Sequence, residues 1–371
     1  MNHYPSNVKE KLNSIILSMA EHHWLFSKNP GHDFTRQHLG KLSFYDTMRL
    51  IISMGKGSTN DEIMDYFDLD PDLIPSQSAF CQRRRQISLS AFEYLFSEFS
   101  SSFPSTTDKF KDHCILACDG CHVVYATNSD IIEDYNKPRL IDYKGYNHMH
   151  LNGFVDVISK AFLDVVIQPG QQPDEREALH SMLDHFTPDD PQKYIITADR
   201  GYESYDLLFH CELKNLGYVF RVKSPSSPKS ILSYYASEFP DDLEEFDVTI
   251  KRFFTDKATN IMKSQSDVYR YINPSKNTPH FYELLRKNHS HLYFLQFRVV
   301  KIKTAENTYE YLITNLPFSF TLDDIRECYH WRWGIEISFR YLKHAAGLLY
   351  FHSKQPEFLK QEIYSRLILY N

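Results

Sequence analysis

Residues 329–343 read YHWRWGIEISFRYLK, and no other stretch constrains the chain as much. Thr321, followed three positions later by Asp324, has the form of a helix N-terminus, so an α-helix is expected from about residue 322 onward. At roughly 100° per residue, Tyr329, Arg332, Glu336 and Lys343 fall on one polar stripe about 60° wide. Cys328, Ile335, Phe339 and Leu342 form an apolar stripe beside it that would face a core. A carboxylate on the border between core and solvent, with cations along the same line, adds little stability. It suits holding a metal against a polyanion. An ordinary solvated face accounts for any one pair taken alone, because an (i, i+4) pair such as Arg332 with Glu336 is usually a weak surface ion pair. Separate motifs have to decide.

At 371 residues the chain exceeds one small domain, and about 100–200 residues per domain gives two or three units. With 42% hydrophobic residues and only 12 Gly it can bury a sizeable core, which excludes a disordered chain. No run of about 18 apolar residues occurs and the N-terminus lacks a signal-peptide pattern, so a soluble cytoplasmic protein without a membrane partner is expected. The six cysteines show no secreted framework and are expected to be reduced thiols. The net charge of −7 argues against a generally basic nucleic-acid coat. A local basic groove stays open, since steering depends on how charge is distributed.

Residues 1–105 read as helical. Ser43 to Met54 is amphipathic, Thr59 with Glu62 marks a second helix start, and Ser76 opens a helix carrying Arg83, Arg84 and Arg85. Three short helices, the last one arginine-bearing, have the outline of a helix-turn-helix; an ordinary bundle with a solvated arginine face fits equally well. The stretch SSSFPSTTD, about 100–108, reads as a hinge. After it the texture turns to strands at 114–126, 149–157 and 161–168, a helix over 172–186, the strand of KYIITADRGY, a helix near 203–216 and the strand of GYVFRVKS. The result is an α/β fold with a mixed sheet over 109–223. Residues 224–317 read as a β-rich insertion, and 318–371 as the final helices of the core.

Three acidic residues stand out by position: Asp119 inside the first strand, Asp199 at the carboxyl end of a strand preceding a helix, and Glu336 on the helix of the opening. Sites in open α/β sheets form at the carboxyl ends of neighbouring strands, and clustered carboxylates there bind hard divalent cations. Two Mg²⁺ ions about 3.5–4 Å apart serve in-line phosphoryl displacement without a covalent enzyme intermediate, with nearby cations holding phosphates. Asp119 precedes Gly120 and fits a hairpin turn as well; Asp199 fits a helix cap. Cys118 and Cys121 invite a zinc reading, but on one continuous strand residues three apart point to opposite faces and cannot chelate together. His148 and His150 share a strand face and read as structural or substrate-lining.

Tyr329-x2-Arg332-x3-Glu336-x6-Lys343 resembles the Tyr-Arg-Glu-Lys signature of bacterial insertion-sequence transposases of the DDE type. CDG at 118–120 and ADRGY at 198–202 look like their first and second aspartate strands. The resemblance covers about residues 33–371, with DFTRQHLGKLSF and SQSAFCQRRRQIS similar to the N-terminal domain and HLNGFVDV to the second strand. It implies a ribonuclease-H-like core interrupted by a β-rich insertion and preceded by an all-α DNA-binding domain. Asp119, Asp199 and Glu336 would be the catalytic triad holding two Mg²⁺, with Mn²⁺ a possible substitute. Tyr329, Arg332 and Lys343 would contact the phosphate backbone, joined as DNA-binding candidates by Trp333 and Arg340, and by Arg83, Arg84 and Arg85 on charge and placement. The implied reaction is cleavage at a transposon end followed by attack of the 3′-hydroxyl on target DNA. The implied partners are terminal inverted repeats and target duplex, bridged by a homodimer in the bacterial nucleoid. The alternatives are a Mg²⁺-dependent nuclease on the same core without strand transfer, and an inactive transposase acting as a DNA-binding repressor. Family members commonly continue past the signature helix, whereas this chain stops at Asn371 just after QEIYSRLILY. An apolar last helix with nothing to pack on suggests a truncated copy.

Overall fold

In the computed structural model, residues 4–35, 42–102, 109–137, 145–240, 242–273 and 278–371 are described. Most of SSSFPSTTD and the middle of DFTRQHLGKLSF lie outside them. Five helices come first: α1 Tyr4–Glu21, α2 Phe44–Ser53, α3 Thr59–Tyr66, α4 Gln77–Gln86 and α5 Leu89–Ser101. Serine side chains cap three of them. Ser43 and Ser58 form reciprocal caps with Asp46 and Asp61, and Ser76 accepts from the Ala79 amide. The α3 cap therefore lies one residue earlier than the Thr59 and Glu62 pairing expected from sequence. Glu62 instead accepts from the Gly57 amide at 2.7 Å.

A single mixed sheet follows. Its first part comprises β1 Cys114–Tyr125, β2 Tyr135–Asn136, β3 Tyr146–Asp156, β4 Phe162–Pro169, β5 Tyr194–Ala198 and β6 Gly217–Val222, with α6 Glu175–His185 and α7 Tyr205–Leu213 between strands. β1, β3 and β4 form an antiparallel meander, while β5 runs parallel to β1 and β6 parallel to β5. The resulting order β4-β3-β1-β5-β6 is the ribonuclease-H-like core expected from the resemblance.

The residues expected to form a β-rich insertion carry strands that continue this sheet. β7 Phe246–Thr255, β8 Tyr269–Tyr271, β9 Leu292–Ala305 and β10 Thr308–Thr314 extend the same sheet, because β10 pairs antiparallel with β6. Two helices interrupt them, α8 Asn260–Ser264 and α9 Pro279–Lys287.

α10 Leu322–Trp331, α11 Trp333–His344 and α12 Pro356–Tyr370 complete the chain. Alternation along β1 sends Ile115, Ala117, Val123 and Tyr125 into an apolar cluster shared with α11, α12 and the N-terminal helices. Leu116 and Cys118 face the opposite cluster, shared with α6, α7 and α9. The final helix is far from unpartnered: Phe358, Leu359, Ile363, Leu367 and Ile368 are buried, and Phe96 of α5 lies 5.8 Å from Tyr364, ring to ring. Arg366 donates to the carbonyls of Met54 and Gly55, and Asn371 donates to Ser100 at 2.9 Å. The expectation of a last helix with nothing to pack on fails because the N-terminal helices cover it. No helix among the described residues is long and apolar enough to cross a membrane.

Candidate active site

Strand register brings the two aspartates together. β1 and β5 pair in parallel from Cys114 with Tyr194 to Ala117 with Thr197, a constant offset that carries Asp119 beside Asp199 just past the last paired residues. Neighbouring strands lie about 4.8 Å apart, so residues 80 positions distant in sequence share one edge of the sheet. Asp119 and Gly120 sit inside β1, opposite Gly153 and Asn152 of β3, which removes the hairpin-turn reading. Asp199 does cap the short 3-10 turn Arg200–Tyr202, its Oδ1 accepting from Gly201 at 2.7 Å. That use leaves the second carboxylate oxygen for other work.

The helix of the signature comes across this edge, broken at one point. Capped by Thr321 and Asp324 as expected, it tightens at Arg332, where the Arg332 amide bonds to the Tyr329 carbonyl and the Ile335 amide to the Arg332 carbonyl. The tightening alters the stripe drawn from an unbroken helix. Tyr329 and Arg332 are buried, while Glu336 keeps nearly half of its side chain exposed. Arg332 Nη1 lies 3.6 Å from Asp119 Oδ2, and its Nη2 lies 3.0 Å from Glu336 Oε1. One guanidinium thus ties Glu336 to Asp119. Close approach of the helix to the sheet relies on small residues: a Cβ on Gly334 would stand 3.1 Å from Val157, and one on Gly153 would crowd Phe162 and Phe339.

Burial pushes the Asp119 carboxyl up to about 6; the Gly120 amide and Arg332 pull it down, and the charges of Asp199 and Glu175 raise it further. All the donors gathered here are carboxylate oxygens, which suit a hard divalent cation. A buried carboxyl crowded by other carboxylates gains most from such an ion. The donor set fits.

Residues 110–371 match the family described as Transposase DDE domain. The chain belongs to the DDE transposases. These enzymes generally use divalent metal ions, in keeping with the donor set. Among curated proteins none matches this transposase. A piggyBac transposase synaptic complex with hairpin DNA, solved by cryo-EM, is similar to 97% of the chain and 70% of its own, at 10% identity and a TM-score of 0.45. A likeness at that level bears on neither substrate nor reaction.

In this transposase the other expected site residues fall into two groups. Lys343 lies along β1 at Cys121, on the face that carries Asp119. Trp333 and Arg340 are exposed on α11 together with Ile337 and Tyr341, a strip at helical spacing beside the acidic edge. The three arginines of α4 separate. Arg84 is buried, 2.9 Å from Glu362, and donates to Gln361 and to the Phe358 carbonyl, so it anchors α12 and leaves the list of DNA-binding candidates. Arg83 bonds to Gln86 and lies over the Phe34 ring, and Arg85 is exposed.

Cys118 and Cys121 face opposite sides of β1: Cys118 approaches the Tyr202 hydroxyl at 3.5 Å, and Cys121 packs toward α11. They make no joint metal site. Sequence reasoning missed Glu175 as a site residue. It begins α6, pairs with His150 at 3.1 Å, and its Oε2 comes within 3.6 Å of where a Cβ on Gly201 would stand. Its place in the first turn after the Asp174 cap reads from sequence as a helix-dipole residue. Only the pairing of β3 with β1 shows what it faces.

Proposed function

We propose that the chain is a DNA transposase that cleaves transposon ends and joins the freed 3′-hydroxyl to target DNA. Asp119, Asp199 and Glu336 would hold the metal, two Mg²⁺ ions with Mn²⁺ able to replace them. Bound there, a divalent pair supplies activation of the attacking oxygen and stabilisation of the leaving one. The observation that carries this reading is the shared register of β1 and β5, with Arg332 linking Glu336 to Asp119 across the edge.

The chain's own residues set the rest. Arg332, held between two carboxylates, keeps Asp119 and Glu336 near each other before an ion arrives and offers a buried cation to a phosphate afterwards. Lys343 extends the positive charge along β1. The exposed strip of Trp333, Arg340 and Tyr341 supplies a cation between aromatic faces, a combination suited to a nucleic-acid strand. Arg85 on α4 is placed for backbone contact by the helical domain. The active species in this reading is a homodimer bridging two inverted repeats.

The test uses labelled duplex cut from the DNA flanking the reading frame, chosen by any matched inverted repeats found there, with Mg²⁺ or Mn²⁺ and a target plasmid. Nicked ends and joined products are expected from the wild type, and neither from Asp199→Asn or Glu336→Gln. Nicking without joining would favour a nuclease on the same core. Shifted DNA without cleavage would favour a repressor, and cleavage surviving both substitutions would remove the assigned triad.

A further inference from the structure

A second cluster of donors lies among α6, α7 and α9. His180 of α6, His210 of α7 and His280 of α9 bring one nitrogen each to within 4.8 Å of one another, and the three rings stack nearly parallel. Each ring also faces a carboxylate. His210 Nε2 lies 3.1 Å from Asp184 Oδ1, His280 Nδ1 lies 2.7 Å from Asp206 Oδ2, and His180 Nε2 lies 3.6 Å from the same Asp206 oxygen. Between the first two rings, His180 Nδ1 and His210 Nδ1 stand only 2.9 Å apart.

Proton counting among these contacts leaves His180 Nε2 without a hydrogen bond. If His210 donates from Nε2 to Asp184, its Nδ1 carries a lone pair, and the 2.9 Å contact then requires the proton on His180 Nδ1. That tautomer points the His180 Nε2 lone pair at the Asp206 carboxylate. Placing the His180 proton on Nε2 instead turns two Nδ1 lone pairs toward each other. With the proton on His180 Nδ1, every contact at hydrogen-bond distance is satisfied, and His180 Nε2, 3.6 Å from the Asp206 oxygen, makes no hydrogen bond there.

A cation between the three nitrogens would give every ring a ligand role with a carboxylate behind it. Nε2–H of His210 and His180 and Nδ1–H of His280 would each donate to a carboxylate, leaving Nδ1, Nδ1 and Nε2 as ligands, the pattern in which a carboxylate orients a metal-bound imidazole. We propose that His180, His210 and His280 form a transition-metal site, of the class that takes Zn²⁺, oriented by Asp184 and Asp206 and separate from the acidic edge that carries Asp119.

Imidazole donors select zinc over magnesium. Ligand nitrogens around tetrahedral zinc sit roughly 3.3 Å apart, so closing on one ion draws the farthest pair inward and turns the rings out of their stack. The ion can reach the site through a cleft of about 680 Å³ lined by His180, Asp184, Asp206 and His280, which also extends to Glu175 and Gly201. Occupancy would clamp α9, which lies between the added strands β8 and β9, to α6 and α7 of the core. Since α6 starts at Glu175, the clamp would also fix the wall of the acidic site.

The test is metal content of the untagged full chain after loading with Zn²⁺ and dialysis against metal-free buffer. One zinc per chain is expected, unchanged in Asp119→Asn and lost in the double variant His210→Ala, His280→Ala with its circular dichroism intact. Should the double variant fail to fold, one equivalent of Co²⁺ added to the wild type decides: visible d–d bands of low-coordinate nitrogen ligation are expected. Absence of retained zinc in the wild type, zinc retained equally by a folded double variant, or only the spectrum of hydrated cobalt would overturn the proposal.

Discussion

Arg332 reaches across from the signature helix to Asp119, its Nη1 3.6 Å from Oδ2, while the same guanidinium holds Glu336 at 3.0 Å. A cation supplied by the protein thus occupies the space between two of the three carboxylates proposed to bind metal. Replacing Arg332 by Ala removes the attraction that lowers the Asp119 pKa and leaves the repulsion from Asp199 and Glu175. The expected result is a loss of roughly 1–3 kcal/mol of stability and an activity profile displaced to higher pH. Denaturant unfolding and the pH dependence of Mn²⁺-supported cleavage measure the two effects.

Asp119 itself should trade stability for function. Burial raises its carboxyl from 3.8 in the reference state to about 6 in the fold. Between those values the folded chain binds a proton that the unfolded chain releases, so stability falls as pH rises through this window. Above pH 6 the ionised group costs on the order of 2–3 kcal/mol. Asp119→Asn is therefore expected to raise Tm at pH 7.5, to change it little at pH 4, and to abolish cleavage.

A divalent ion should relieve the same cost. Mn²⁺ is expected to raise the wild-type Tm more at pH 7.5 than at pH 5, where Asp119 is largely protonated, and to lose most of that effect in Asp119→Asn. Equal stabilisation at both pH values would place the ion away from Asp119.

Much of this geometry was legible in the sequence for one reason. Asp119 and Asp199 each end or interrupt an apolar β-branched run, and a parallel pair of such runs places its carboxyl ends together. The order of elements from β1 to β6, apart from the two-residue β2, followed from periodicity and turn chemistry. Tyr329 defeated the helical wheel, because the tightened turn at Arg332 buries a residue that an unbroken helix leaves on the polar stripe. Arg84 was misread since nothing local announces Glu362, 278 positions away, as its partner. That the strands of 224–317 would continue the core sheet was not legible, because the pairing of β10 with β6 is a long-range choice without a local signature.

Arg84 and Arg85 offer a sharp contrast between neighbours. Removing Arg84 leaves the Glu362 carboxylate buried without its guanidinium, and Arg84→Ala is expected to cost about 3–5 kcal/mol in denaturant unfolding. Arg85→Ala should leave stability within roughly 0.5 kcal/mol and weaken binding to element-end DNA.

On α11, Arg340→Ala should reduce the slope of log affinity against log salt by about 1. Trp333→Ala should cost about 1–3 kcal/mol of affinity for single-stranded ends with little change in that slope. Fluorescence anisotropy over a salt series separates the two.

Carboxylates from β1, the end of β5 and α11 must share metal for the proposed reaction to run. Anomalous diffraction from crystals soaked in Mn²⁺ measures this directly. Density bounded by Asp119 and Asp199, with Glu336 turned toward it from Arg332, is the predicted result. Saturating Mn²⁺ bound only elsewhere, with Arg332 still between Asp119 and Glu336, would contradict it.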